Sequence, residues 1–266
     1  MSGAETFDAA ADAYDRHVGR YARPLAGELI RFARVERDMR VLDVGCGIGA
    51  LTGALAALVG ADRVAGVDPS APSVAACRTR VPGADVSVAT GERLPFADGA
   101  FDATLSQLVV NFMTDPEAGV GEMARVTRAG GVVAACVWDY AGEMTLLRAF
   151  WDAARDVAPA RAAAADEGAV MPWCREGELA ELWRGAGLQD VRAGSLVVAA
   201  RYDDFEDCWA PFPSGLAPSG AFCRSLDDAG RRRLHDAFRD RLGVGEGPFE
   251  LHARAWAATG RTAVAR

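Results

Sequence analysis

A glycine-rich turn near residue 45 gives the clearest chemical signal in the sequence. The run VLDVGCGIG places Gly45, Gly47 and Gly49 after a strand predicted over Arg40–Val44 and before an alanine-rich helical pattern. Glycine permits positive φ and lets a ligand approach where a Cβ would clash, and the following helix offers free backbone amides. The spacing therefore predicts a turn that cradles a nucleotide or a related ligand.

Two carboxylates flank this turn and narrow the choice of ligand. Asp43 precedes Gly45 by two residues, where it would repel a pyrophosphate but attract an ammonium group and lie near a sulfonium. Asp68 ends the second predicted strand, where a carboxylate can accept hydrogen bonds from ribose hydroxyls. NAD and S-adenosylmethionine (SAM) share the ribose contact, and the charge of Asp43 favours SAM. Asp68 could instead cap the next helix, and the loose fingerprint Gly45-x-Gly47-x-x-Ala50 keeps an NAD-dependent oxidoreductase as an alternative.

The elements that would position these residues form an α/β pattern. From Arg40 onward, short β-rich runs alternate with helical segments, which predicts a Rossmann-like, seven-stranded, mostly parallel sheet with helices on both faces. Strands are predicted over Arg40–Val44, Arg63–Val67, Asp85–Ala89, Ala100–Ser106, Gly131–Val137, Asp190–Ala200 and Phe249–Ala258. Helices are predicted near Ala50–Leu58, Pro72–Val81, Pro116–Thr127 and Glu176–Arg184, with Ala160–Ala165 as a helix or a mobile connection.

The chain of 266 residues is predicted to form one domain with a core and a lid. Residues 38–138 form the predicted cofactor-binding core. Ligands of open parallel sheets bind beyond the carboxyl ends of the strands. We therefore expect residues 1–37 and the insertions 139–174 and 201–247 to form a helical lid over that edge and to bind the substrate.

The composition favours a small-molecule partner over a nucleic acid or a membrane. A formal charge of −8 argues against nucleic acid, because affinity for phosphates rests on clustered Lys and Arg. The basic stretch from Arg231 to Arg241 is interleaved with aspartates and is typical of a solvated helix face. The apolar stretches are too short to span a bilayer, and the acidic start has no apolar signal core. A cytoplasmic monomer or homodimer is expected.

The cysteines and histidines predict no metal site. The sequence contains no Cys-x-x-Cys pair and no His-x-x-x-His pair, which are the spacings typical of zinc ligands. Reduced thiols and a metal-free site are therefore expected.

Four motifs occur in the order typical of one enzyme family. They are VLDVGCGIG, VAGVDPS, ATGERLPFADGAFDATLSQ and EMARVTRAGGVVAACVW, which together span residues 38–138. The chain resembles the class I SAM-dependent methyltransferases, especially the branch related to ubiquinone and menaquinone biosynthesis. The resemblance implies SAM as cofactor and methyl transfer to a small molecule. The aromatic residues of the predicted lid segments indicate an acceptor with an apolar or aromatic part.

The same resemblance implies where the cofactor binds. The glycine turn and Gln107 would surround the methionine portion, Asp68 the ribose, and Thr90 and Gly91 the adenine. Many relatives carry Asp or Asn where this chain has Thr90, so Thr90 is expected to matter less than Asp68. Asp102 is expected to support the fold. The implied cofactor-binding residues are Asp43, Gly45, Cys46, Gly47, Ile48, Asp68, Pro69, Thr90, Gly91, Glu92 and Gln107.

Aromatic residues and two histidines are the candidates for the acceptor side of the site. The candidate substrate-binding residues are Tyr14, Trp138, Tyr140, Trp209 and Phe212, and packing between lid and core is the alternative for each. Methyl transfer is an in-line displacement that depends on alignment, and a hydroxyl acceptor would also gain from a general base. His17 and then His235 are the candidate bases, with a surface or capping role as the alternative.

Two other functions stay open at this point. A SAM-fold protein could use the cofactor for a reaction other than methylation, because its binding motifs would look the same. An RNA or protein methyltransferase is the second alternative, and the acidic composition opposes the RNA case.

Overall fold

The computed structural model describes residues 19–215 and 217–264, which alternate between strands and helices. The strands are β1 (Val41–Val44), β2 (Val64–Asp68), β3 (Asp85–Val88), β4 (Phe101–Gln107), β5 (Thr127–Trp138), β6 (Gln189–Tyr202) and β7 (Phe249–Arg261). The longer helices are α1 (Arg20–Ala33), α2 (Ala50–Val59), α3 (Ala71–Arg80), α4 (Pro116–Val126) and α5 (Thr145–Val157). They are followed by α6 (Pro159–Ala165), α7 (Glu167–Val170), α8 (Glu178–Gly185), α9 (Phe205–Trp209), α10 (Ala217–Ser225) and α11 (Asp228–Leu242).

The strands form one seven-stranded sheet in the order β3-β2-β1-β4-β5-β7-β6. The neighbours from β3 to β5 are parallel, and β7 is antiparallel to β5. Strand β1 is buried along its whole length, as expected for a central parallel strand covered on both faces. The predicted seven-stranded, mostly parallel α/β sheet is confirmed.

The boundary between α4 and β5 differs from the sequence-based expectation. Helix α4 ends at Val126 and β5 begins at Thr127, whereas the sequence predicted a helix to Thr127 and a strand from Gly131. Thr127 accounts for the difference, because its hydroxyl donates to the carbonyl of Met123 at 2.7 Å and bonds the Thr104 hydroxyl of β4 at 2.7 Å. These two contacts place Thr127 where the helix stops and the strand pairing starts.

The last two strands are longer than predicted. Strand β6 extends to Tyr202 and β7 to Arg261, so that Arg261 pairs with Val132 of β5. The stretch before Arg261 contains small residues and glycine, which weaken the strand signal of the sequence. Pairing with β5 nevertheless continues through it.

The described residues group into two compact units. The core unit comprises residues 22–138, 173–196 and 255–264, and the insert unit comprises 19–21, 139–172, 197–215 and 217–254. The predicted lid insertions fall in the insert unit apart from residues 173 and 174. The single-domain organisation and the lid over the strand edge stay predictions. The part of the chain that the structure describes contains no helix with the length and apolar character needed to cross a membrane.

Aromatic side chains fill the interior of the insert unit. Phe150 of α5 stacks on Phe212, with ring centroids 4.4 Å apart, and both rings also contact Phe238 of α11 edge to face. Phe150, Phe212 and Phe238 are fully buried. Such aromatic contacts stabilise a packed interior beyond the area that they bury.

A buried charge network lies in the same unit. Asp166 is fully buried and accepts hydrogen bonds from Arg148, Arg155 and the amide of Gly168. Its neighbour Glu167 accepts from the indole of Trp151 at 2.8 Å. Buried carboxylates of this kind are tolerated because their oxygens are paired.

Candidate functional site

The glycine turn joins β1 to α2 and is held against β2. The amides of Gly45 and Cys46 both donate to the carbonyl of Val67, at 2.8 and 2.9 Å. Gly45, Gly47 and Gly49 all have positive φ, at 78°, 50° and 95°, a region that favours glycine. The turn predicted from VLDVGCGIG therefore has the backbone conformation that its glycines allow.

Gly45 is also required by close packing. A Cβ at Gly45 would lie 2.3 Å from Cγ2 of Val109, a residue that follows β4. A Cβ at Gly47, by contrast, would meet no atom within 4 Å among the described residues. Gly45 thus allows Val109 to pack against the turn. Gly47 leaves open space above the turn, where a ligand can approach.

Asp68 fixes the glycine turn in addition to ending β2. One carboxylate oxygen accepts from the amide of Gly47 at 2.9 Å, and the other accepts from the amide of Ser70 at 2.9 Å. Helix α3 is capped by Ser70, whose hydroxyl accepts from the amide of Ser73, so the capping role belongs to Ser70. Each carboxylate oxygen of Asp68 keeps a lone pair for a further donor. The residue can hold the turn and a ribose at the same time.

Asp43 is buried under the turn with one oxygen paired. It is 1% exposed, and its Oδ2 accepts from the hydroxyl of Thr52 at 2.7 Å. Its Oδ1 is buried without a hydrogen-bond partner in the part of the chain that is described. Burial raises the pKa of the Asp43 carboxyl to about 7, against the opposing effect of the Thr52 hydrogen bond. The free oxygen is therefore suited to a cationic donor, which would also favour the ionised form.

Gln107 presents a second free acceptor at the end of the neighbouring strand. Its amide nitrogen donates to the carbonyl of Ala22 at 2.9 Å, which leaves Oε1 buried with no partner within the described residues. Asp43 pairs with Leu105 in the sheet register, so Gln107 lies two residues further toward the carboxyl edge. Leu108 follows in the left-handed region at φ 63° and ends the strand. A buried acceptor without a donor is destabilising, and two of them at adjacent strand ends indicate a ligand with several donor hydrogens.

The residues predicted near the adenine lie on the turn after β3. Thr90 is exposed, and Gly91 is partly buried. A Cβ at Gly91 would lie 2.7 Å from Cε of Met113, so a larger residue there would have to displace the end of the Met113 side chain. Glu92 accepts from the amide of Thr114 at 2.9 Å, which fixes this turn to the segment after β4. Their contacts with the cofactor stay predictions.

The other cofactor candidates differ in exposure. Cys46 is 5% exposed and its side chain joins an apolar cluster with Val74, Cys77 and Val86, so only its backbone faces the turn. Ile48 is partly buried and Pro69 is exposed. Their predicted cofactor contacts are not tested by these observations.

The predicted acceptor residues fall into different parts of the chain. Tyr14 and His17 lie outside the described residues. Trp138 is the last residue of β5 and is buried in the core unit, while Tyr140 is buried in the insert unit. Phe212 lies in the aromatic interior of the insert unit, and Trp209 lines a surface cavity there together with His235. Their substrate contacts stay predictions.

His235 is held between two carboxylates. Its Nε2 lies 3.0 Å from Oε1 of Glu206 and its Nδ1 lies 2.9 Å from Oδ1 of Asp236. Partial burial opposes protonation, but the two hydrogen bonds outweigh it and raise the pKa of the imidazole. In residues 19–215 and 217–264, no group of three or more His, Cys, Asp or Glu side chains could hold a metal ion.

The sequence analysis missed two residues that complete the site, Thr52 and Val109. Thr52 is a hydroxyl-bearing residue within the apolar helix ALTGALAALV, and a lone polar residue on a buried helix face indicates a buried partner. Val109 gives no signal at all, because its contact with Gly45 depends on how β4 lies beside β1.

The sheet order and the turn define a class of protein. A parallel sheet with an antiparallel seventh strand, a glycine turn after β1 and a carboxylate ending β2 are the features of a Rossmann-like methyltransferase fold. A family model described as a methyltransferase domain matches residues 42–135, which contain this site.

Curated relatives support the same family. The demethylmenaquinone methyltransferase of Mycolicibacterium vanbaalenii is 32% identical over 123 residues, covering 42% of this chain and 54% of the relative. The Mycobacterium bovis protein Mb1438c is 30% identical over 211 residues, covering 77% of this chain and 74% of that protein. This chain spans about half of the length of the demethylmenaquinone methyltransferase that it matches. The chain belongs to the class I SAM-dependent methyltransferases, whose cofactor is SAM.

A solved structure shares the fold. The phosphoethanolamine N-methyltransferase 2 of Haemonchus contortus, in complex with phosphomonomethylethanolamine and S-adenosylhomocysteine (SAH), aligns with a TM-score of 0.58 at 16% identity. The alignment covers 95% of this chain and 57% of that chain. At this identity the likeness concerns the fold.

Proposed function

We propose that the protein transfers the methyl group of SAM to a small molecule with an apolar or aromatic part. The observation that carries the proposal is the pair of buried acceptor oxygens, Oδ1 of Asp43 and Oε1 of Gln107, which have no partner among the described residues. The α-ammonium of SAM has the charge and the donor hydrogens that match them. Among the relatives, one is named as a demethylmenaquinone methyltransferase.

The residues of the chain hold and align the reactants in this proposal. Asp43 and Gln107 accept hydrogen bonds from the ammonium, Asp68 accepts from the ribose, and the open face of Gly47 admits the ligand. SAM supplies an activated methyl group when bound. The protein then contributes alignment and the exclusion of water, since in-line displacement needs no covalent intermediate.

A general base would matter only for some acceptors. His235 is the described candidate, and a His235→Gln variant with unchanged turnover on a hydroxyl acceptor would remove it from consideration. His17 can be tested by the same substitution. The small-molecule assignment and the lack of a nucleic-acid partner are part of this proposal and are supported by the acidic composition. The cytoplasmic location is also part of it and is supported by the short apolar stretches of the sequence.

The test has a binding arm and a transfer arm. Isothermal titration should show that SAM and SAH bind to the purified chain, and that Asp68→Asn weakens both by about tenfold, since hydrogen bonds to a charged group contribute about 1.5–3 kcal/mol. Asp85→Asn is the matched control, because this exposed aspartate lies at the first residue of β3, away from the carboxyl edge. The control should bind as the wild type does.

The transfer arm uses SAM with a trideuterated methyl group and a panel of phenols, aromatic acids and aromatic amines. Mass spectrometry should detect a product heavier by one labelled methyl group, and Asp68→Asn should form it more slowly. Binding of SAM without transfer to any member of the panel or to a metabolite extract would argue for a reaction other than small-molecule methylation. Absence of SAM binding would overturn the proposal altogether.

A further inference from the structure

A surface cavity lies between α9 and α11 in the insert unit, and none of its lining residues is among those assigned to SAM. Its volume is about 380 Å³, which is enough for a small organic molecule. The lining residues are Trp209, Pro213, Asp228, Arg231, Arg232 and His235. The cavity thus combines an apolar wall with several basic side chains.

The apolar wall is built from rings. The imidazole of His235 packs edge to face against the rings of Phe205 and Trp209, with centroid distances of 5.0 and 5.2 Å. Trp209 is 9% exposed, and Pro213 adds a further apolar surface to the lining. The accessible part of this wall is suited to a planar apolar ligand.

Most of the charges around the cavity are already compensated. Arg231 pairs with Asp228 and donates to the carbonyl of Leu226. The imidazole of His235 is held by Glu206 and Asp236. The lining carboxylate and the lining imidazole therefore each have a counter-charge from the protein.

Arg232 is different from these groups. It is exposed and lines the cavity, and the described contacts include no hydrogen bond or ion pair for its guanidinium. It is therefore the lining cation whose charge is left uncompensated. A guanidinium can bind a carboxylate through two parallel hydrogen bonds.

We propose that this cavity binds a planar apolar molecule that carries one carboxylate, with the ring against Trp209 and Pro213 and the carboxylate on Arg232. The proposal assigns a second ligand site to the chain and is independent of the assignment of SAM to the glycine turn. It also gives a role to Trp209 and His235 that does not require proton transfer.

The test uses two probes that differ only in charge. The carboxylate 2-naphthoate and the neutral amide 2-naphthamide are titrated into the full chain by calorimetry at constant salt. The wild type should bind the carboxylate up to about fivefold more tightly than the amide, as expected for a charge pair with an exposed arginine. Arg232→Gln should remove this preference and leave the affinity for the amide unchanged.

Matched controls separate the cavity from the general charge of the helix. Arg233 is the neighbouring exposed arginine, has no contact among those described and does not line the cavity, so Arg233→Gln should keep the preference. Trp209→Leu should weaken both probes. Unchanged SAH affinity in Arg232→Gln would show that the variant is folded and that the glycine-turn site is intact. Equal binding of the two probes by the wild type, no binding of either, or an equal loss in Arg232→Gln and Arg233→Gln would overturn the proposal.

Discussion

Buried carboxyl groups in the two units of the molecule differ in their hydrogen-bond partners. In the insert unit, Asp166 is fully buried and its two oxygens accept hydrogen bonds from Arg148, Arg155 and Gly168. In the core unit, Asp43 is equally buried, but its Oδ1 has no partner among the described residues. Burial of a carboxylate oxygen without a partner is destabilising. The two sites therefore differ in how many of their carboxylate oxygens have a hydrogen-bond partner within the described residues.

We propose that this difference distinguishes a structural site from a binding site. The network around Asp166 is complete and contributes to folding. The acceptors of Asp43 and Gln107 lie near the carboxyl ends of adjacent strands and have no hydrogen-bond donor among residues 19–215 and 217–264. We propose that a bound ligand supplies the missing donor. In this family the cofactor is SAM, whose ammonium can supply that donor.

The largest effect should come from breaking the complete network. Asp166→Asn removes the charge that pairs with Arg148, whose side chain is 18% exposed, and should lower the free energy of unfolding by about 3 kcal/mol. Urea denaturation followed by circular dichroism measures the loss. Asp152→Asn is the control, because Asp152 pairs with the same arginines but is 33% exposed, and its removal should cost no more than about 1 kcal/mol. Equal losses in the two variants would contradict a special role for the buried carboxylate.

A smaller loss is expected in the glycine turn. Gly45→Ala should destabilise the protein by about 2 kcal/mol, because the residue has positive φ and its Cβ would meet Val109. Gly47→Ala should destabilise it by only about 1 kcal/mol, since the Cβ meets no described atom and only the backbone conformation is unfavourable. Thermal denaturation of both variants measures the difference. Adding Val109→Ala to Gly45→Ala should restore part of the stability, and no restoration would show that the contact with Val109 is not responsible.

The pH dependence of stability tests Glu167. Burial raises the pKa of Glu167 to about 7, against the effect of the hydrogen bond from Trp151. The usual value is 4.5, so the unfolded chain loses this proton at lower pH than the folded chain, and stability falls as the pH rises between the two values. Glu167→Gln keeps an acceptor for Trp151 and removes the titration. Its stability relative to the wild type should rise by about 1 kcal/mol or more between about pH 5 and about pH 8. A constant difference across this range would show that the pKa of Glu167 is not raised.

The sequence predicts the sheet and the turn well because both depend on local patterns. The motif VLDVGCGIG specifies a buried strand, three glycines and a helix start within a few residues. The charge network could not be predicted in this way. Asp166 and Glu167 follow an alanine-rich segment that reads as a helix or a mobile connection, and their burial depends on Arg148 and Trp151 of another helix.

The hydrogen-bond contacts of the candidate site likewise could not be predicted from local sequence patterns. The sequence and the family resemblance identify Asp43, Asp68 and Gln107 as candidates. They do not show that Asp43 and Gln107 each have one oxygen without a partner in the described part of the chain. That property follows from the contacts with Thr52 and Ala22. These contacts are set by the packing of α1 and α2.

The most direct test of the central claim is the affinity for SAH measured by calorimetry as a function of pH in the wild type, Asp43→Asn and Glu167→Gln. The pKa of both carboxyls is raised to about 7 by burial, but only Asp43 is assigned to the ammonium. The wild type and Glu167→Gln should therefore bind SAH about tenfold more tightly at about pH 8 than at about pH 5.5, as the Asp43 carboxyl ionises. Asp43→Asn should bind weakly with little dependence on pH. An unchanged affinity in Asp43→Asn, or loss of the pH dependence in Glu167→Gln instead, would contradict the assignment of the free carboxylate oxygen to the cofactor.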